Sequence, residues 1–223
     1  MRFIYPFVLI LFLPPFFSLA NGDINKCHKS TEGTDFWFGF MENRWYTNNN
    51  YVEITVTARE ATTFSVSVGP DAVFIGDYSV TDNGSRQVRI PWEPDQIEAK
   101  GSEVVQDRGI HLTSEKPVNV YALNYDRNSA DVAVIYPVES LGTEYYAMCY
   151  TPHVNLFNDG TAEGRNSEFL IVATQDTTVV SITPSVVTDQ NRPAGETFTD
   201  TLHAGQVYQV QSANQATCRG RAI

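Results

Sequence analysis

From residue 35 onward, apolar and polar positions alternate in short runs separated by turn residues. Residues 35–40 place Phe36, Phe38 and Phe40 on one face and Trp37 and Gly39 on the other, a period of two. Residues 51–58 alternate Val52, Ile54, Val56 and Ala58, and residues 63–68 alternate Phe64, Val66 and Val68. The three residues between them, Arg59-Glu60-Ala61, suit a hairpin loop. The pattern continues over residues 72–80, 86–91, 109–113 and 117–125, with a tight Ser114-Glu115-Lys116-Pro117 turn between the last two. It resumes over residues 132–136, 145–150, 167–174, 178–183, 196–202 and 206–211. No window long enough for a helix sustains a 3.6 period, and residues 137–143 offer one helical turn at most. The expected fold class is all-β: an antiparallel, β-sandwich-like architecture.

The pattern repeats within the chain. Glu53-Ile54-Thr55-Val56-Thr57-Ala58, a short loop and Thr62-Thr63-Phe64-Ser65-Val66 recur as Glu168-Phe169-Leu170-Ile171-Val172-Ala173, a short loop and Thr177-Thr178-Val179-Val180-Ser181. Each is followed by another strand pair: residues 77–81 and 87–91 around Gly84, then residues 197–201 and 207–211 around Gly205. Order and spacing together predict a duplication. The expected organisation is a leader at 1–20, an N-terminal segment at 21–34, a first β-sandwich unit at 35–136, a second unit at 137–215 and an irregular tail at 216–223. The second unit is expected to be incomplete, because residues 216–223 show no strand pattern where the first unit continues into residues 109–122. An incomplete unit leaves a sheet edge and an apolar face uncovered.

Residues 1–20 read as a secretory signal peptide: Arg2, an apolar run, then Ser18-Leu19-Ala20 with small residues at a cleavage site after Ala20. Pro14-Pro15 interrupts the run, and a membrane span needs about 20 uninterrupted apolar residues. The expected location is therefore secreted, extracellular, with no membrane span. There the odd number of cysteines (Cys27, Cys149 and Cys218) leaves two arrangements: one pair with a leftover, or three buried thiols. Asn83-Gly84-Ser85 is an N-glycosylation sequon in a turn, which makes Asn83 the expected glycan site. The chain of 223 residues has 26 acidic and 15 basic side chains, a formal charge of −11. That balance argues against nucleic acid or an anionic membrane as partner. An aromatic content of 12% excludes a disordered acidic tail.

Catalytic motifs are missing: no Gly-x-Ser-x-Gly elbow, His-Glu-x-x-His, Walker loop or Gly-x-Gly-x-x-Gly occurs. Asp126, Asp131 and Glu139 lie close in sequence, as do Asp159 and Glu163, and a paired-carboxylate hydrolase uses such groups. Solvated loop charges are the favoured reading of them. Asn158-Asp159-Gly160-Thr161 is oxygen-rich but lacks the alternating acids of a Ca²⁺ loop. His28, His111, His153 and His203 are scattered, and no metal or cofactor is expected. Trp37, Trp45 and Trp92 are read as core or rim residues in preference to a sugar-stacking platform.

Five stretches in order carry a family resemblance: Gly33-Thr34-Asp35-Phe36-Trp37-Phe38-Gly39-Phe40, residues 109–125, residues 136–146, residues 167–174 and residues 204–210. Together they resemble the N-terminal domain of the IgG Fc-binding protein family. The resemblance implies a secreted, all-β module found beside adhesive or mucin-like modules, and it transfers no Fc-contacting residue. The family pattern continues past the Tyr208 strand with an Asp-Leu-Thr/Ser-Gly-Ser motif. This chain departs there, and Ala-Thr-Cys-Arg-Gly-Arg can be encoded so that a shifted frame spells Asp-Leu-Ser-Gly-Ser. A frameshifted or mispredicted end is therefore expected. On that basis Cys218 is adventitious and Cys27–Cys149 is the expected disulfide, closing a loop worth about 4–5 kcal/mol in the chain-entropy model. The expected function is a non-catalytic extracellular binding or adhesion module for a protein or glycan. The alternative is a carbohydrate-active protein, lectin-like or hydrolytic, using acidic loops and exposed tryptophans.

Overall fold

The computed structural model describes residues 30–42, 50–91, 94–126, 129–149, 154–156, 162–164, 166–213 and 219–222. Nearly all regular structure among them is β. The exceptions are one helical turn at Pro94–Ile97 and a 3-10 turn at Val138–Ser140, the latter inside the expected 137–143 window. No described helix is long and apolar enough to cross a membrane.

The first half is organised by one long strand. Its strands are β1 (Glu32–Phe38), β2 (Tyr51–Ala58), β3 (Thr62–Val68), β4 (Val73–Val80), β5 (Gly84–Arg89), β6 (Val105–Gln106), β7 (Ile110–Asp126) and β8 (Ser129–Ile135). Over residues 110–114, β7 pairs with β3 on one edge and β1 on the other. Over residues 118–126 it pairs with β2 on the first edge, and with β8 on the second from Val120 onward. β4 extends β3, and β5 extends β2. The result is two four-stranded layers, β4-β3-β7-β1 and β5-β2-β7-β8, which share β7.

This corrects two expectations. Ser114-Glu115-Lys116-Pro117 does not separate two strands; it is the stretch where β7 passes from one layer to the other. None of Glu115, Lys116 and Pro117 has a cross-strand partner in the ladders of β7. Pro117, which has no N–H, is tolerated because no ladder bond is needed there. The Lys116 N–H donates instead to Thr62 Oγ1 at 3.0 Å. Nor is Arg59-Glu60-Ala61 a hairpin loop: β2 and β3 do not pair, and the loop arches from one layer to the other. Arg59 bonds Glu32 at 2.7 Å and Lys116 bonds Glu60 at 3.0 Å, tying the arch to β1 and β7.

The alternating hydrophobes fill the space between the layers, as the period requires. Phe36, Phe38, Phe64, Val66, Val68, Ile110 and Leu112 come from one layer and meet Val52, Ile54, Val56, Val88, Val118 and Val120 from the other.

The second half contains β9 (Tyr145–Met148), the β10 (Val154–Leu156) and β11 (Ala162–Gly164) ribbon, β12 (Glu168–Val172), β13 (Thr178–Pro184), β14 (Phe198–Leu202), β15 (Val207–Gln211) and β16 (Arg219–Ala222). Its pairings follow those of the first half. β12 pairs β15 as β2 pairs β5, and β13 pairs β14 as β3 pairs β4. A separate cluster of Phe169, Val180, Ile182, Leu202, Tyr208 and Val210 lies between these strands.

The expected irregular tail is corrected as well. Arg219–Ala222 forms β16, inserted between β13 and β9. The sequence Arg219-Gly220-Arg221-Ala222 has no apolar alternation, so backbone pairing on both edges defines this strand. The expected bare edges are partly filled: β16 covers β13, and β6, from the first half, covers β15.

Candidate functional site: an aromatic sheet face and a polar junction

Positions opposite in phase to the core residues form the outer face of the β5-β2-β7-β8 layer. Their registers set Arg89 beside Glu53, Glu53 beside Leu123, and Leu123 beside Val132. One row along, Gln87, Thr55, Tyr121 and Val134 align. Tyr51 and Tyr125 stack at 4.7 Å with a 21° interplanar angle, and the Arg89 guanidinium lies 3.6 Å from the Tyr51 ring centroid. Val132 and Val134 are 63% and 44% exposed. The face thus presents a cation capping an aromatic pair, next to aliphatic side chains left in water. Tyr and Arg beside desolvatable aliphatic surface is the composition of protein-binding hot spots.

The outer face of the other layer is more polar. The Trp37 ring stacks on His111 at 4.0 Å and 5°, and His111 Nε2 lies 2.8 Å from Asp35 Oδ1. One face of the indole is therefore covered by histidine.

A third feature joins the halves. Gln209 is fully buried; its Oε1 accepts the Glu42 N–H at 3.1 Å and its Nε2 donates to Gly101 O at 2.9 Å. The Glu103 N–H donates to Gln209 O, and the Gln211 N–H donates to Ser102 Oγ. Beside this knot, buried Glu98 accepts from Lys100 Nζ at 2.9 Å and Asn124 Nδ2 at 2.7 Å. Glu168 also lies here. Burial, with smaller contributions from the Glu42 and Glu98 carboxylates and Cys149, pushes its pKa up to about 7 despite the 2.8 Å hydrogen bond from Gln211. Gly205, at φ +82°, brings the turn after β14 onto the first half, where its carbonyl accepts the Gly109 N–H at 2.9 Å.

Asn83 is exposed at a turn with φ 49°, and its Nδ2 bonds Asp82 at 3.1 Å. It rims an open depression of about 530 Å³ lined by Glu32, Thr57, Arg59, Ser85 and Asn119. Cys149 is half-buried against the second cluster, while Cys27, Cys218 and Ala20 lie outside the described residues. Asp126 and Glu139 are not brought together. Glu139 sits beside Gly33, which pairs with Val118, whereas Asp126 lies eight residues further along β7. At about 3.3 Å per residue the separation along the strand is about 26 Å, against roughly 5–10 Å for a glycosidase pair. Asp126 is buried at the end of β7 and is no solvated loop charge; Asp131 is exposed on β8. Asp159, residues 158–161, Trp45 and Trp92 lie outside the described residues, as does the Glu163 side chain. Among the described residues no three His, Cys, Asp or Glu side chains converge on a metal site.

The sequence reading missed the Arg89–Tyr51–Tyr125 stack. Its signal was present in the out-of-phase positions of the strands, but the cross-strand register that unites them is not written in any one strand.

Residues 131–220, from β8 through the start of β16, match the IgGFc binding protein family model. Human IgGFc-binding protein is 31% identical over 159 residues, covering 67% of this chain and 3% of that protein. The crystal structure of Thermotoga maritima 1070 is similar at a TM-score of 0.33 and 13% identity, covering 48% of this chain and 96% of that one. The strands described above make this an all-β module; the chain belongs to the IgGFc-binding protein family. It spans about 3% of the length of its human relative.

Proposed function

We propose that this chain is a non-catalytic, extracellular binding or adhesion module that engages a protein partner through the outer face of the β5-β2-β7-β8 layer. The observation that carries this reading is the contiguous patch of Arg89, Tyr51, Tyr125, Leu123, Val132 and Val134, with its two valines left in water. The equivalent face of the second half is not free: Leu170, Val172 and Val207 approach Gly39 of the first half closely enough that a Cβ there would meet them. The name of the human relative supports a protein ligand and supplies the first probe, IgG Fc. We further read the chain as two tandem units, 35–136 and 137–215, exported by the residue 1–20 leader with cleavage after Ala20, glycosylated at Asn83, and crosslinked between Cys27 and Cys149.

The test is surface binding of the purified chain to immobilised IgG Fc, a panel of extracellular proteins and a glycan array. Saturable binding to a protein, weakened at least tenfold (about 1.4 kcal/mol) by the double substitution Val132→Asp and Val134→Asp, is expected. Binding to glycans alone, or protein binding indifferent to that substitution, contradicts it.

A further inference from the structure

The depression beside Asn83 is built by register. Ser85 on β5, Thr57 on β2, Asn119 on β7 and Glu32 on β1 align as one row across the strands, and all four line it. Each carries a hydrogen-bonding side chain, and the row crosses three strand spacings, about 14 Å. It continues the outer face of the β5-β2-β7-β8 layer past Thr55 and Tyr121, at the end away from Tyr51. Glu32 is reached from the 3-10 turn, where Ser140 Oγ donates to Ser30 O at 2.9 Å, and neither Ser30 nor Thr31 lines the depression.

Asn83 stands at the β5 end of this row. Its N–H donates to Arg59 O at 3.2 Å, and the Arg59 side chain reaches Glu32 at 2.7 Å, so one residue ties the turn to the far end of the row. The Asn83 side chain is exposed. Asp82 takes one hydrogen of its Nδ2 at 3.1 Å, and the other is the one an N-linked glycan replaces. The depression is too open and too polar to enclose a small molecule as an ordinary ligand pocket does. A ligand tethered at its rim needs no enclosure, because a short tether holds it at millimolar effective concentration.

We propose that this depression is a docking site for the chain's own glycan: the first N-acetylglucosamine on Asn83 lies along the Ser85-Thr57-Asn119-Glu32 row. The site rests on the reading of Asn83 as a glycan carrier and deepens it. The chemistry fits a sugar. The Ser85 and Thr57 hydroxyls donate and accept, Glu32 accepts from sugar hydroxyls, and the Arg59 guanidinium donates to hydroxyl or acetamido oxygens. Docked this way, the glycan runs across the strands. Thr57 is six residues along β2 from Tyr51, about 20 Å at about 3.4 Å per residue, so the Arg89–Tyr51–Tyr125 stack stays uncovered. A sugar at millimolar effective concentration over a site of millimolar affinity is bound about half the time, which slows any opening that requires its release about twofold.

The test uses the full chain secreted from a eukaryotic cell and trimmed to the single N-acetylglucosamine of Asn83, beside the same chain secreted under a glycosylation inhibitor. Intact mass establishes the sugar, and NMR then locates it. Expected are nuclear Overhauser contacts from its acetyl methyl to the Thr57 methyl or the Arg59 side chain. Exchange of the Asn83 amide should slow about twofold or more relative to the sugar-free chain. Arg59→Ser, at a side chain 82% exposed, should keep the sugar's mass and remove the slowing. Absence of the sugar's mass overturns the site together with the glycosylation reading. A sugar that is present but contacts nothing in the row, or touches Tyr121 or Val134 instead, overturns the site alone; so does equal slowing in Arg59→Ser. The contacts decide the matter without any variant.

Discussion

Replacing Gly205 with alanine tests the contact that holds the two halves together. Gly205 has φ +82°, and a Cβ there would stand 2.8 Å from Gly69 C and 2.8 Å from Pro70 N. The left-handed backbone costs a non-glycine residue about 1–2 kcal/mol. The crowded atoms are backbone, so relief requires shifting Gly69 or the Gly205 turn, about 1–3 kcal/mol more by analogy with overpacking. The sum is about 2–5 kcal/mol. At about 2–4 °C per kcal/mol for a domain of this size, Tm falls by at least about 4 °C. Gly195 gives the control: its φ is +77°, but nothing lies within 4 Å of a Cβ there, so Gly195→Ala carries the backbone cost alone. Calorimetry of both variants isolates the crowding, and faster amide exchange at Gly109, whose N–H bonds Gly205 O, locates it. A Gly205→Ala variant no less stable than Gly195→Ala, with Gly109 exchange unchanged, refutes the reasoning.

Three further outcomes follow from the same contacts. Gln209→Leu leaves the half-buried Glu42 N–H without its acceptor, while water can take over the C=O of exposed Gly101, and urea denaturation should show a loss of about 1–3 kcal/mol. Glu168 binds its proton more tightly folded than unfolded, so its contribution is favourable at low pH and is lost as pH rises from 4.5 to about 7. Glu168→Gln should flatten the stability profile across that window and raise stability at pH 7.5 by on the order of 2–3 kcal/mol, with Glu42, Glu98 and Gln211 left in place. Asn83→Gln should lower the intact mass of the chain secreted from a eukaryotic cell by one glycan; an unchanged mass contradicts occupancy.

What the sequence made legible was the face of each residue. Phe36, Val52, Ile54, Val56, Phe64 and Val66 are buried where period two put them. What it hid was the neighbour of each strand. A three-residue loop such as Arg59-Glu60-Ala61 is compatible with a hairpin or with an arch between layers, and the choice depends on β7, some fifty residues away. Pro117 marked the unpaired stretch of β7, yet a proline reads equally as a turn. β16 was invisible because Arg219-Gly220-Arg221-Ala222 has no apolar alternation. The binding face was legible in part: Val132 and Val134 announce an apolar stripe, but only the register with Leu123 and Tyr121 turns it into a patch.

The account rests most directly on β7 passing from one layer to the other, with Glu115 to Pro117 outside its ladders. Native-state amide exchange tests this within a single strand. Leu112, Thr113, Val120 and Tyr121, flanked by strands on both edges, should be strongly protected, and Glu115 should exchange far faster. Protection of Glu115 equal to that of Val120 and Tyr121 would contradict it.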